Sequence, residues 1–163
     1  MKKKLTGSEL AELAIQIEIN GRDFYNSLTQ RSRHNKARDI FLYLAGQEEE
    51  HIKKFEGILR SVQEYEPSEA YPQEYFSYMN ALASQYIFTQ KNRGKEIAVH
   101  TRSDEEAIGL GIGFEKDSII FYEGMEKIVP PPDRHVVKEL LIQEKEHLVK
   151  LTSLQDSMIK ERS

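Results

Sequence analysis

The sequence predicts an all-α fold, an antiparallel four-helix bundle with a long crossover between its second and third helices. Three observations predict it. Four stretches carry apolar residues at helical i, i+4, i+7 spacing. Short breaks around His34 and Pro131 join the first two stretches and the last two. Two stretches share one pattern, Gln47-Glu48-Glu49-Glu50-His51 and Gln143-Glu144-Lys145-Glu146-His147. At 163 residues the chain has the size of one domain, residues 1–163, with helix pairs at 7–63 and 104–161 and a crossover at 64–103.

Thr6-Gly7-Ser8-Glu9 forms a capping box, in which the glutamate can reach back to the cap amide. Behind it Leu10, Ala14, Ile17, Glu18, Gly21, Tyr25 and Leu28 share one face of a first helix that runs to about Ser32. Asn35 is the expected N-cap of the second helix. Its stripe is Ile40, Phe41, Leu44, Glu48, His51, Ile52, Phe55 and Leu59, and it ends near Gln63, ahead of Pro67. In the crossover, Pro72 to Gln85 reads as a short helix with Tyr75, Tyr78, Met79 and Leu82 on one face, and Ile97 to His100 reads as extended.

Ser103-Asp104-Glu105-Glu106 is a second capping box and opens the third long helix. Ala107, Gly111, Phe114, Glu115, Ser118 and Tyr122 form its stripe, and Pro130-Pro131-Pro132 stops it. Asp133 is the expected cap of the fourth, whose stripe is Val136, Val137, Leu140, Leu141, Glu144, His147, Leu148, Leu151 and Leu154. All four should run about 25 residues or more, as bundle helices do. The long crossover lets the second and third helices run parallel, and its length implies packing on the bundle or on a partner.

The two halves match in their polar exceptions as well as in their apolar stripes. Glu18 precedes Phe24-Tyr25 by the same interval that separates Glu115 from Phe121-Tyr122. Glu18 lies 48 − 18 = 30 positions before Glu48, and Glu115 lies 144 − 115 = 29 before Glu144. A duplicated hairpin explains this most economically.

Composition narrows the function classes. A hydrophobic content of 39% and a charged content of 31% suit a soluble helical protein. A net charge of −4 offers no basic surface for nucleic acid. The absence of cysteine excludes disulfides and thiolate metal sites and fits a reducing, cytoplasmic setting. Met1-Lys2-Lys3-Lys4 is followed by Glu9 and Glu12 rather than a secretory apolar core, and the longest uncharged apolar run, Ala107 to Phe114, is too short to span a membrane.

Residues three apart on a helix lie nearly one above the other, so Glu48 with His51 can grip one ion, and Glu144 with His147 another. Glu18 and Glu115, alone on their helices, are placed to bridge or complete the coordination. Four carboxylates in an apolar interior repel one another and lose hydration; two divalent cations would neutralise them. Carboxylate and imidazole ligands without thiolate fit iron or manganese, with zinc also possible. His34, His100 and His135 lack both a glutamate three positions earlier and a place on an apolar stripe, and Glu49, Glu50 and Glu146 fall off the ligand face. Tyr25 and Tyr122 lie about 10 Å along the helix from the lone glutamates, where they can hydrogen-bond a ligand on another helix, relay an electron, or simply pack as core aromatics.

On Glu18, Glu48-x-x-His51, Glu115 and Glu144-x-x-His147 the sequence resembles the rubrerythrin group of the ferritin-like superfamily, across all four long helices. The resemblance implies a ferritin-like bundle with a di-iron centre, usually in a homodimer or larger assembly, and reduction of hydrogen peroxide or oxygen. Two departures matter. Rubrerythrins carry a further carboxylate one turn after the lone glutamate of the third helix, where this chain has Ser118, with Gly21 at the matching position of the first. The six remaining ligands match ferroxidase-type centres. Rubrerythrins also carry a cysteine-ligated rubredoxin domain; without cysteine, turnover would need an external electron donor protein. The expectation is a di-iron oxidoreductase, with a ferroxidase or iron-handling protein and a non-catalytic metal-binding bundle as the alternatives.

Overall fold

The computed structural model describes residues 6–64 and 72–163; the basic start at Met1–Lys4 and the helix-ending role of Pro67 lie outside the described residues. The described residues form helices α1 (Gly7–Arg31), α2 (Asn35–Gln63), α3 (Gln73–Gln85), α4 (Arg93–His100), α5 (Asp104–Met125) and α6 (Arg134–Glu161). Short 3₁₀ turns sit at Ile87–Thr89, Glu126–Ile128 and Pro131–Asp133. The four long helices are the expected bundle. At 22 residues α5 is shorter than expected, because its last turn tightens into the 3₁₀ turn before the prolines.

Local capping chemistry sets the boundaries. Thr6 and Glu9 complete the first capping box, each satisfying a backbone amide of the other. The second box is only half formed. Ser103 accepts from the Glu106 amide, but the Glu106 carboxylate accepts from Arg102 instead. Asn35 is not the cap of α2. His34 is, its Nδ1 accepting from the Ala37 amide at 3.3 Å. Asp133 occupies the cap position of α6 but makes no side-chain cap bond.

α1 packs along α2 and α5 along α6, and the two hairpins meet through α1–α5 and α2–α6. Contacts fix the directions. Lys36 reaches Ser157 and Lys54 reaches Glu139, so α2 and α6 are antiparallel. Tyr25 meets Glu115 while Tyr122 meets Glu18, so α1 and α5 are antiparallel as well. With α1 and α2 forming a hairpin, α2 and α5 run parallel, as the long crossover allows. The core comprises the expected stripes plus Phe24, Ile58, Ile108, Phe121 and Met125. Ile40, Leu59, Phe114, Val136 and Leu148 are only partly buried at its margin.

The crossover packs on the bundle. α3 forms over the expected span, with Tyr75 and Met79 buried; Tyr78, expected on the same face, is half exposed. The Tyr75 hydroxyl donates to the Gly124 carbonyl at 2.6 Å and docks α3 on α5. Residues 97–100 are not extended but close the helix α4. The β-branched pair Ile97 and Val99 favours a strand locally, yet tertiary contact prevails. Asn20, buried on α1, donates to the Phe88 and Gln90 carbonyls at 2.7 and 2.6 Å, and its Oδ1 accepts from the Gly94 amide at 2.9 Å. A Cβ at Gly94 would lie 1.9 Å from the Asn20 carbonyl oxygen, so only glycine permits this approach. None of the described helices is long and apolar enough to cross a membrane.

Candidate metal centre

The helical phase of each stripe carries its polar exceptions into the bundle interior. Glu18, Glu48, His51, Glu115, Glu144 and His147 are each no more than 4% exposed. They form two overlapping groups, Glu18–Glu48–His51–Glu144 and Glu48–Glu115–Glu144–His147. Within each group one ligand atom per residue lies within 4.8 Å of the others. The structure thus brings together all six residues singled out from the sequence. His34, His100 and His135 stand apart from both groups among the described residues. Glu49, Glu50 and Glu146 lie outside the interior too, Glu49 pairing with Arg22 and Glu50 with Lys53.

The residues common to the two groups are not the pair expected to bridge them. Glu18 and Glu115 each belong to one group, whereas Glu48 and Glu144 belong to both. Glu48 presents Oε2 to His51 Nδ1 at 3.3 Å and Oε1 to His147 Nδ1 at 3.5 Å. Glu144 presents Oε1 to His51 at 2.6 Å and Oε2 to His147 at 3.7 Å. Glu18 faces only His51, at 3.5 Å, and Glu115 only His147, at 3.7 Å. The cause is the direct apposition of α2 and α6. The two imidazoles stack with centroids 5.4 Å apart and planes 15° from parallel, so a glutamate one turn from either ring reaches both.

The electrostatics divide the six groups. Burial, then the charges of Glu48 and Glu144, push the Glu18 carboxyl well above its ordinary range. Burial and the same two carboxylates do so for Glu115. Burial alone would raise Glu48, but hydrogen bonding to Glu18 and to both imidazoles holds it down. Glu144 is also lowered, because the imidazoles and Glu115 outweigh burial and the Glu48 charge. Burial opposes charge on His51 and His147, yet the surrounding carboxylates raise both far above the ordinary histidine value. The directions pair the raised imidazoles with the lowered Glu48 and Glu144 carboxylates, and leave Glu18 and Glu115 the readiest of the four carboxyls to hold a proton.

Protons do not satisfy the cluster fully. Glu18 Oε2, Glu144 Oε1, His51 Nδ1 and His147 Nδ1 are buried and face the cluster, in ion-pair contact with one another or with neighbouring carboxylates but with no well-aligned hydrogen bond among the described residues. Unpaired buried polar atoms are costly, and a converging set of carboxylate oxygens and imidazole nitrogens is one that a cation would satisfy. Hard carboxylate oxygens with two imidazole nitrogens suit divalent iron or manganese. The donor set fits a dinuclear carboxylate site.

Neighbouring side chains hold the ligands. The Tyr25 hydroxyl donates to Glu115 Oε1 at 2.6 Å, and the Tyr122 hydroxyl donates to Glu18 Oε1. Each tyrosine crosses between α1 and α5 to the lone glutamate of the other half. Burial and the adjacent carboxylate raise both phenols well above their ordinary value, so they remain protonated donors. Of the roles open from the sequence, the structure shows the hydrogen bond to a candidate ligand and the packing in the core.

Two contributors were not recognised from the sequence. His51 Nε2 pairs with Gln143 Oε1 at 2.8 Å, which fixes the Nε2–H tautomer and leaves Nδ1 to face the cluster. The signal was present, since Gln143 opens the repeated pentapeptide. Its counterpart Gln47 makes no such bond, and His147 Nε2 has no partner among the described residues. The second is Tyr86, from the crossover, whose hydroxyl donates to the Phe114 carbonyl at 2.9 Å and pairs with Ser118 Oγ at 2.9 Å. Nothing in its local sequence marks it.

Comparison with known proteins agrees with this geometry. A solved structure described as a ferritin-like diiron-carboxylate protein, from Thermotoga maritima, is similar at 26% sequence identity and a TM-score of 0.66, over 96% of this chain and 98% of that one. No curated protein matches the chain in sequence. The family model for rubrerythrin matches residues 9–155. Together with the buried glutamate–histidine cluster, these similarities support binding of iron. The chain belongs to the rubrerythrin family.

Proposed function

We propose that this protein is a non-haem di-iron oxidoreductase that reduces hydrogen peroxide or oxygen, with electrons from an external donor protein. The observation that carries the proposal is the pair of overlapping ligand groups centred on Glu48 and Glu144. Glu18 and His51 would complete the ligands of one ion, and Glu115 and His147 those of the other; manganese or zinc could occupy the same donors. Iron bound there supplies the electrons that reduce the oxidant. The chain's residues supply the rest. Glu48 and Glu144 reach both positions and fix the spacing between them. Four carboxylates balance two divalent charges, so the loaded cluster suits an apolar interior. Tyr25 and Tyr122 hold Glu115 and Glu18 in place without giving up their protons. The packed stripes exclude bulk water.

We also infer a cytoplasmic homodimer. The lack of cysteine supports the compartment, and the family resemblance supports the dimer. One observation favours a second reading. Ser118 and Gly21 leave the site at six ligands, the ferroxidase number, so ferrous oxidation for storage or delivery is the alternative.

Repeated additions of peroxide to ferrous-loaded protein with an excess of reductant separate these readings. Sustained turnover at about two irons per chain supports the oxidoreductase. Uptake of many irons per chain without turnover supports iron handling. Tight zinc occupancy with no spectral response to peroxide indicates a non-catalytic metal-binding bundle.

A further inference from the structure

At one end of the bundle the turn between α1 and α2 meets the turn between α4 and α5. A cavity of about 620 Å³ lies between them, with Leu28, Arg31, Arg33, Arg102, Asp104 and Glu105 on its walls. Leu28 comes 28 − 18 = 10 residues after Glu18 on α1, about 15 Å along the helix, so the cavity is separate from the metal centre. Its volume falls within the roughly 300–1,000 Å³ of small-molecule sites.

The charges on its walls are unevenly employed. Both acids are engaged. Asp104 Oδ2 accepts from the Arg33 and His34 backbone amides at 3.3 and 3.1 Å, and Glu105 pairs with Arg162. Arg31 donates through Nη2 to the Thr101 carbonyl at 3.2 Å, which fastens the two turns together and leaves its other N–H groups free. The Arg33 and Arg102 guanidinium groups have no acceptor among the described residues. Elsewhere Arg22, Arg93 and Arg162 pair with carboxylates, and Arg38 and Arg134 with backbone carbonyls. Arg60, on α2, is the one other arginine without an acceptor among the described residues. The backbones of Arg33 and Arg102, by contrast, are pinned. Asp104 holds the first, and the Glu106 carboxylate accepts from the Arg102 amide at 3.1 Å. Fixed backbones thus present unemployed cations around one recess, in a chain whose net charge is −4.

We propose that this cavity binds a small organic anion with two or more negative charges, of the phosphate-ester or polycarboxylate class. Arg33 and Arg102 grip it and Arg31 adds a third donor. Guanidinium forks match both oxyanions in bidentate geometry, and anchored backbones lower the ordering cost of binding. Inorganic phosphate would leave most of the volume empty, whereas an organic body also covers the apolar side chain of Leu28. A folded protein surface would bridge the recess and leave that floor uncovered.

The test titrates the full-length protein, as purified, with ADP, with citrate and with hexaglutamate at low salt, following both heat and metal content. ADP or citrate should saturate at about one per chain, and the tighter of the two assigns the anion to phosphate or carboxylate. Arg33→Gln and Arg102→Gln should each weaken that anion at least about ten-fold, as loss of a charge-assisted contact does, with melting temperature unchanged. Arg60→Gln should leave its affinity as in wild type. Absence of saturable binding by wild type would overturn the proposal, as would affinity unchanged in both cavity variants, the mark of mere chelation of the metal. Hexaglutamate binding more tightly than either small anion would overturn it as well, and would make the recess a docking point for an acidic protein.

Discussion

The Tyr25 hydroxyl on α1 donates to Glu115 on α5 at 2.6 Å, and the relationship is reciprocated by Tyr122 on α5 and Glu18 on α1. Each lone glutamate is therefore held by the half of the chain that does not contain it. The tyrosines lie two turns from the glutamates along their own helices, and antiparallel packing brings each to the opposite one. The duplicated halves are made interdependent at the site itself.

Tyr25→Phe and Tyr122→Phe keep the ring and remove only the donor. Each should destabilise the protein by about 1–3 kcal/mol, the range for leaving a buried acceptor unpaired. Metal affinity should fall with it, and by similar amounts in the two variants because the contacts are equivalent. Thermal melts with metal titration check this; a large loss in one variant only would break the equivalence.

Protonation distinguishes the metal-free from the loaded protein. Glu18 and Glu115 have raised values in the fold, so their protonated forms stabilise the metal-free state below the ordinary carboxylate value, near pH 4.5. That contribution is lost as pH rises through the folded values. Glu18→Gln with Glu115→Gln mimics the protonated pair at every pH. In chelator-treated protein the double variant should melt above wild type at pH 8, and the gap should narrow toward pH 5. A gap that widens on acidification would reverse the assignment.

Loading should release protons. Both imidazoles and the Glu18 and Glu115 carboxyls are raised in the fold, which favours a proton on each in the metal-free protein, and metal ligation requires all four groups to be free of theirs. Titrating metal-free protein near pH 7 in weak buffer should liberate up to about four protons per pair of divalent ions. Release near zero would mean that the cluster is already deprotonated. Metal affinity should accordingly weaken as pH falls.

The half-sites are not identical in their support, since Gln143 holds His51 while His147 Nε2 has no partner among the described residues. Gln143→Leu should lower affinity at the His51 half-site by roughly 10–100-fold, the usual cost of losing a residue that orients a ligand. Gln47→Leu should do much less. Calorimetric metal titration resolves the two, and equal effects would deny the asymmetry.

The long helices and six candidate ligands were legible because both depend on helical period. Glu18, Glu48, His51, Glu115, Glu144 and His147 interrupt apolar stripes at positions whose phase is fixed by 3.6 residues per turn. That Glu48 and Glu144 are common to both groups was not legible, because it depends on how closely α2 and α6 approach, and period within one helix says nothing of distance between two. Helix α4 was missed for a related reason. Ile97 and Val99 carry a local preference for strand, and the contact that overrides it joins Gly94 to Asn20, 74 positions away. Tyr86 lies in the same category, its role arising where a crossover residue meets Ser118 on α5.

The most direct test replaces the two shared carboxylates. Anaerobically purified wild-type protein, reconstituted with ferrous iron, should hold about two irons per chain. Glu48→Ala with Glu144→Ala should hold none while keeping its helical circular dichroism, and its metal-free form should melt below the wild-type temperature because both imidazoles lose the carboxylates that pair with them. A double variant that still bound two irons per chain would contradict the site.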